Sequence, residues 1–321
     1  MYKERYLITG GSGFIGTQLI KQLLIEEHEV TVLTRDEVKT LNHFESVMKS
    51  SLRPEQTTGK IQAITDLAEL NTSGNNSSFN VVINLAGQGI ADKRWSNSVK
   101  QQLLDSRINT TKALYDYLKN VLVKPDVVIS GSALGYYGLH DDDIKIDEHG
   151  KTDNSFSSQL CVAWEKEAKH IEDLGIRTCY LRTGIVLGKN GGALSKMLPP
   201  FKFGLGGPMG SGKQWMSWIH MDDLIGIIRY AIKTESVSGA INGTAPNPVT
   251  NKIFSYTLGR VLNRPAFIPM PAFVMRLMLG EMAEELLLSG QRVIPDKIIK
   301  AGYQFKYPEL KSALRSVIQS V

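Results

Sequence analysis

The sequence predicts an α/β protein: a Rossmann-type, doubly wound parallel sheet with a smaller, mostly helical C-terminal lobe. Two observations carry that prediction. Short β-branched runs alternate with amphipathic stretches through the first half of the chain, the pattern of βαβ units. A glycine-rich segment, Thr9-Gly-Gly-Ser-Gly-Phe-Ile-Gly16, falls between the first strand and the first helix, where such a unit binds a nucleotide.

Taken in order, Tyr6–Thr9 reads as the first strand, and Phe14–Ile25 as a helix with Ile15, Leu19, Leu23 and Leu24 on one face. Glu29–Leu33 and Ile61–Thr65 give the second and third strands. Phe79–Leu85 is a fourth, apolar enough to be covered on both sides. A helix is expected over residues 98–117, and another over residues 157–174 between strands at Asp126–Ile129 and Ile176–Leu181. Asn71–Ser78 is small and polar, a surface loop. After Arg182 glycine and proline cluster, and the remainder reads as helices punctuated by prolines. The expected division is a nucleotide-binding core over residues 1–183, with residues 217–245 returning to it, and a substrate lobe built from 184–216 and 246–321.

Of the 321 residues 42% are hydrophobic and 21% charged, ample for a core. The net charge is +5, with Lys and Arg scattered rather than gathered in runs; this argues against a nucleic-acid partner and suits an anionic small ligand. Cys161 and Cys179 have neither zinc nor redox-pair spacing and read as free thiols of a reducing compartment. No signal-peptide pattern precedes the first strand, and the apolar stretch Pro271–Gly280 is short and broken by Arg276. The expectation is a cytoplasmic protein with a small-molecule substrate and no membrane partner.

No metal is expected either. His140-Asp-Asp-Asp143 and Asp147-Glu148-His149 read as a solvated acidic loop, and the histidines include no pair at helical ligand spacing. Gly207–Lys213 has the opening of a phosphate-binding P-loop, but Gln214 stands where the magnesium ligand belongs and no strand precedes it. His220, Asp222 and Asp223 follow an apolar run. The aspartates suit a cap for a helix beginning at Leu224, and the role of His220 stays open.

In the glycine segment, Gly10 permits the tight turn, Gly13 lets the backbone approach a pyrophosphate and Gly16 lets helix and sheet pack closely. The N–H groups of the helix start then hold the phosphates. At the end of the second strand, where an NAD-preferring site carries an acid for the ribose 2′-OH, stand Thr34 and Arg35. A hydroxyl beside a guanidinium suits a 2′-phosphate, so NADP(H) is favoured over NAD(H). Asp36, displaced by one turn residue, is the alternative acid. In the long helix Arg107 could meet a cofactor phosphate or a nearby acid.

The chain resembles the extended short-chain dehydrogenase/reductase family. The matching residues are Thr9–Gly16, Asp66-Leu67 after the third strand, Asn84-Leu-Ala-Gly87 after the fourth, Asn109, and Ser132 in Ser130-Gly-Ser-Ala133. The resemblance implies that Asp66 lies by the adenine and that Leu85, Ala86 and Gly87 line the cofactor. A narrower resemblance, to the atypical branch labelled epimerase family proteins, covers nearly the whole chain. It rests on Cys161-Val-Ala-Trp-Glu165, Leu181–Gly188, Gly204–Lys213, Trp218–Asp223, Asn242–Pro248 and Gly290–Pro295. It implies an oxidoreductase or epimerase on a small polar, sugar-like substrate, and a homodimer as the usual assembly.

The chain departs from the family at the point of chemistry. Active members carry Tyr-x-x-x-Lys on the helix after the fifth strand; here that spacing is occupied by Cys161 and Glu165. A carboxylate raises a neighbouring thiol pKa and supplies no cation to stabilise a tyrosinate. Glu165 could be an acid/base or a cofactor contact. Tyr136 or Tyr137 could reach the site beyond Ser132 and donate instead. The third reading is a protein that binds NADP(H) with little or no turnover and acts as a regulatory or scaffold module.

Overall fold

The structure, a computed structural model, describes residues 3–51, 58–72, 78–140, 142–189 and 191–319. Residues 73–77 of the expected polar loop lie outside them. The strands in chain order are β1 (Arg5–Thr9), β2 (Glu29–Leu33), β3 (Ile61–Ile64), β4 (Val81–Asn84), β5 (Val127–Ala133), β6 (Lys145–Ile146), β7 (Arg177–Thr183), β8 (Ile185–Leu187), β9 (Trp215–Met216), β10 (Trp218–His220), β11 (Gly239–Gly243), β12 (Val249–Thr250) and β13 (Arg292–Val293). Seven of them form one parallel sheet in the order β11-β7-β5-β4-β1-β2-β3. The remaining six form three two-stranded ladders.

The helices are α1 (Phe14–Ile25), α2 (Glu37–Lys49), α3 (Glu69–Thr72), α4 (Asn97–Asn120), α5 (Phe156–Glu172), α6 (Gly192–Lys202), α7 (Met221–Lys233), α8 (Asn251–Leu262), α9 (Ala272–Leu279), α10 (Glu281–Ala283), α11 (Asp296–Lys300) and α12 (Leu310–Gln319). A 3₁₀ turn covers Leu134–Tyr137 and a π turn Glu284–Leu288. The apolar faces of α1 and α7 cover one side of the sheet, with Leu19, Leu23, Ile227 and Ile228 fully buried against Ile8, Val32 and Ile83. On the other side Leu7, Val82 and Val128 meet Leu114 and Leu118 of α4 and Ile171 of α5. Each such buried side chain contributes about 1.5–3 kcal/mol. A separate cluster, built on Trp218, Phe254, Leu258 and Leu314, makes the core of the C-terminal elements.

The order of the sheet reverses between β1 and β4, which is where a doubly wound sheet opens a crevice at its carboxyl edge. Thr9 and Asn84 end those two strands as register partners, and the Leu85 N–H donates to the Thr9 carbonyl at 3.1 Å. The candidate site grows from this point.

Candidate functional site

Gly10 turns the chain out of β1 at φ +67°, a conformation that favours glycine. It also lies so close to β4 that an added Cβ would come within 2.5 Å of the Leu85 backbone. Gly16 is as crowded, against the carbonyl oxygens of Gly10 and Gly11 at 2.5 and 2.6 Å. Gly13 differs: it is exposed, and its nearest contact would be the Gly10 oxygen at 3.1 Å. It is the N-cap of α1, has no side chain to cap the helix, and no acid stands in the first turn. The N–H groups of Phe14, Ile15 and Gly16 therefore face an uncapped, electropositive helix end, a cradle of the right chemistry for a pyrophosphate.

Around that cradle Ile15 packs on the sheet core. The Phe14 ring lies against Gly188, Gly191 and Gly192, leaving its backbone, not its ring, for a ligand. A hydrogen-bond chain fixes the floor: Thr9 Oγ1 donates to Asn84 Oδ1 (2.6 Å), Asn84 Nδ2 donates to Thr111 Oγ1 (2.8 Å), and Trp164 Nε1 donates to the same oxygen (3.1 Å). The Ala86 N–H donates back to Thr9 Oγ1 at 3.2 Å. Leu85 and Ala86 thus leave β4 pinned to Thr9 at the end of β1. Arg107 closes this edge, donating to the carbonyls of Leu103 (2.9 Å) and Gln88 (3.0 Å), with its guanidinium beside Gly87 and 5.2 Å from the Trp164 ring. Burial pulls its pKa down, and it has no carboxylate partner among the described residues.

At the end of β2, Thr34 Oγ1 shares a hydrogen bond of 2.8 Å with Thr40, and Arg35 is exposed with no ion pair among the described residues. Asp36 is the N-cap of α2, its Oδ1 accepting from the Lys39 N–H at 2.9 Å. One of its two carboxylate oxygens is thereby committed to the helix. Asp66 is exposed after β3 and turns its own chain by accepting from the Ala68 N–H at 2.9 Å.

Two of the expected cofactor contacts have side chains that the packing turns elsewhere. The Leu67 side chain is buried in the cluster with Leu7, Leu70 and Val82, so it belongs to the core rather than to the crevice. Asn109 is exposed on α4, opposite the face that buries Leu103, Thr111, Leu114 and Leu118. At 100° per residue, the two-residue step from Arg107 to Asn109 crosses to the far side, and Thr111 is the polar residue that α4 presents inward.

The constellation that α5 brings to the end of β7 is a buried ion pair. Arg182, at the end of β7, donates from Nε to Glu165 Oε1 (2.8 Å) and from Nη2 to Oε2 (2.8 Å), and Ser132 Oγ donates to Oε1 at 2.6 Å. Arg182 Nη1 reaches Tyr137 Oη and the Glu148 carbonyl, both at 3.0 Å. Burial alone would pull the Arg182 pKa down; the hydrogen bonds and charge of Glu165 overcome it and raise it. With Oε1 accepting twice and Oε2 once, Glu165 is held as a buried anion in the site floor.

The other groups here are similarly accounted for. Tyr137 is buried and donates to Asn242 Oδ1 at 2.6 Å; burial, opposed by Arg182, pushes its phenol up to about 12. Burial, helped by the Glu165 charge, pushes the Cys161 thiol up to about 11. Tyr136 is half-buried, its ring centroid 3.4 Å from the Arg182 guanidinium carbon, and its hydroxyl has no hydrogen bond among the described residues. The residue that sequence reading missed is Arg182. Its signal was the Leu-Arg-Thr segment closing β7, but only the β5–β7 register, which pairs Ser132 with Arg182, puts it in the site.

Elsewhere, His220 proves to be the cap. It is the N-cap of α7 and accepts from the Asp222 N–H at 3.1 Å, while burial lowers its pKa. Asp223 instead accepts from the Lys306 and Tyr307 N–H groups. Glu148 is buried, not solvated, and accepts from the N–H groups of Asn242 and Lys297. Among the described residues no group of three or more His, Cys, Asp or Glu could hold a metal ion. No helix among them is long and apolar enough to cross a membrane.

The comparison with known proteins fits this geometry. The model of the NAD dependent epimerase/dehydratase family matches residues 6–242. The chain belongs to that family. Within the family it is 38% identical over 315 residues to Epimerase family protein YfhF of Bacillus subtilis, covering 97% of each chain. It is 38% identical to the chloroplastic Epimerase family protein SDR39U1 homolog of Arabidopsis thaliana, over 97% of this chain and 86% of that one. Residues 270–317 match a second family model, a domain of unknown function, DUF1731. Among solved structures, human epimerase family protein SDR39U1 (isoform2) with NADPH superposes with a TM-score of 0.83 at 35% identity, covering 99% of this chain and 100% of that one. UDP-Glucuronic acid 4-epimerase of Bacillus cereus, at 18% identity and a TM-score of 0.74, covering 98% of this chain and 97% of that one, shares the fold of this epimerase-family chain.

Proposed function

We propose that this epimerase-family protein is an NADP(H)-dependent oxidoreductase or epimerase acting on a small polar, sugar-like substrate, with Tyr136 rather than an α5 residue exchanging the proton. The observation that carries this reading is the Tyr136 hydroxyl, free among the described residues and held over Arg182, while Ser132, Tyr137 and Glu165 are engaged by partners and Cys161 is buried. NADPH in the cradle would supply a hydride to a substrate carbon. Tyr136 would donate its proton to the oxygen beside that carbon and recover it from water, with Arg182 beneath the ring favouring the transient anion.

The preference for NADP(H) rests on Arg35, free to pair with a 2′-phosphate, and on Asp36 being spent as a helix cap. A relative at 35% identity binds NADPH, which supports the same reading. A nucleoside-diphosphate sugar epimerase from Corynebacterium glutamicum, 28% identical with a TM-score of 0.72 over 99% of this chain and 58% of that one, supports the sugar-like substrate class. Buried free thiols at Cys161 and Cys179 suit a reducing cytoplasm.

The test follows NADPH consumption against sugar nucleotides and small carbonyl compounds. Tyr136→Phe should lower kcat by about 100-fold or more with the NADPH Kd unchanged. A second reading, binding without turnover, is favoured by the two-point lock between Glu165 and Arg182. It is supported if no compound is turned over by the native chain, while Cys161→Tyr with Glu165→Lys creates turnover.

A further inference from the structure

Outside the crevice, the most unusual surface lies on the C-terminal elements. Residues 203–210 and 264–272 run side by side. The Ile268 N–H donates to the Gly206 carbonyl (3.3 Å), Met270 N–H to Pro208 (2.9 Å) and Gly210 N–H to Met270 (2.9 Å). Arg264 Nε holds the Lys202 carbonyl at 3.0 Å. Helix α8 packs beside them through Ser255 Oγ on the Gly207 carbonyl (3.3 Å) and the Lys252 N–H on the Gly212 carbonyl (2.9 Å). These elements, together with α9, which continues directly from them, turn large apolar side chains outward: Phe203 is 82% exposed, Leu277 76%, Phe273 69% and Phe267 68%, with Leu205 and Met278 at 63%. Side chains this exposed protrude; they do not line a groove. A cluster of them on one small lobe marks a contact surface.

The charge of the same face is one-sided. Residues 184–221 and 236–280 contain no Asp or Glu. Lys202, Lys213, Lys252, Arg260 and Arg264 are exposed and in no ion pair among the described residues, whereas Arg276 is neutralised by Glu284 at 2.8 Å. Protruding apolar side chains with unpaired cations on the same joined stretches complement a surface that is apolar underneath and anionic on top. A second copy would bring like charges together across a two-fold axis. A nucleic acid would pair with the cations and leave the protruding Phe and Leu side chains in water.

We propose that this face docks peripherally on an anionic lipid bilayer, with Phe203, Phe267, Phe273 and Leu277 entering the headgroup boundary and the five cations meeting lipid phosphates. The expectation of no membrane partner was drawn from single segments too short to span. A docking face needs no span, and this one is assembled from two regions distant in sequence, residues 202–213 and 252–278. The proposal is independent of the cofactor reading.

The full-length protein is sedimented with vesicles of phosphatidylcholine alone or mixed with phosphatidylglycerol, at low and high salt. It should pellet with the anionic vesicles only, and less at high salt. Phe203→Ser with Leu277→Ser should lower partitioning by about tenfold or more, and so should Lys252→Glu with Arg260→Glu. Each pair should leave NADPH affinity and the thermal melt unchanged, since all four side chains are exposed. The proposal is overturned if the native chain stays in the supernatant with anionic vesicles at low salt, or if neutral vesicles pellet it equally. It is also overturned if light scattering finds a dimer that Leu277→Ser dissociates, or if an oligonucleotide binds this face with the apolar variant unaffected.

Discussion

Arg182 grips Glu165 at two points, 2.8 Å from Nε to Oε1 and 2.8 Å from Nη2 to Oε2, and so joins the end of β7 to the middle of α5. The two residues come from β7 and α5 and are both buried, so the pair is held in a place where water cannot substitute for either partner.

Removing one partner should therefore cost more than removing both. Arg182→Ala or Glu165→Ala alone should lower unfolding free energy by about 3–5 kcal/mol, by leaving a buried charge uncompensated. Arg182→Met with Glu165→Leu should recover much of that loss. Urea denaturation of the three variants checks it, and equal losses for singles and double would refute the coupling.

The two glycines of the cradle should separate stability from binding. Gly10→Ala puts a Cβ 2.5 Å from the Leu85 backbone at a positive φ and should lower the melting temperature sharply. Gly13→Ala, whose Cβ would meet only the Gly10 oxygen at 3.1 Å and at no positive φ, should lower the melt much less than Gly10→Ala while weakening NADPH binding. Calorimetry and a fluorescence titration on each variant distinguish the two effects.

At the end of β2, Arg35→Ala should weaken NADPH binding by about 10–100-fold and leave NADH binding little changed. Asp36→Ala should instead cost about 1 kcal/mol of stability, as loss of the α2 cap, with no change in the ratio of the two affinities. Parallel titrations with both nucleotides read this directly; a nucleotide-ratio change in Asp36→Ala would return the discriminating role to the acid.

The buried thiols set an alkaline limit. Burial takes Cys161 and Cys179 from the usual 9.0 up to about 11, so the folded chain holds these protons more tightly than the unfolded one. Their contribution is intact below pH 9 and is lost as pH rises through 11. The urea midpoint should fall over that interval, and less steeply in a variant with Cys161→Ala and Cys179→Ala. Rapid alkylation of the native protein at neutral pH would contradict the burial argument.

What was legible in the sequence is what short spacing determines. Thr9–Gly16 declares its turn and helix within eight residues, and the apolar runs of β1, β4 and β5 declare a covered sheet without reference to anything distant. The site floor was not legible, because its partners meet through register. Ser132 and Arg182 face each other only once β5 and β7 align, and Glu165 reaches them only from a third element. The phase of α4 misled in a smaller way: Asn109 and Thr111 differ by two residues, and only the packed face reveals which one turns inward. Glu148 looked solvated because its neighbours Asp147 and His149 are polar, yet its partners lie at Asn242 and Lys297.

One contact ties the far end of the chain to the centre of the site. Glu285, in the π turn, accepts from the Phe156 and Ser157 N–H groups at 3.0 and 2.8 Å and from Ser157 Oγ at 2.6 Å, so the first turn of α5 is terminated by a carboxylate from more than a hundred residues downstream. Helix α5 also carries Cys161 and Glu165. The C-terminal segment is thus a keystone for that helix: the carboxylate that anchors the start of α5, nine residues before the glutamate that Arg182 grips, belongs to it.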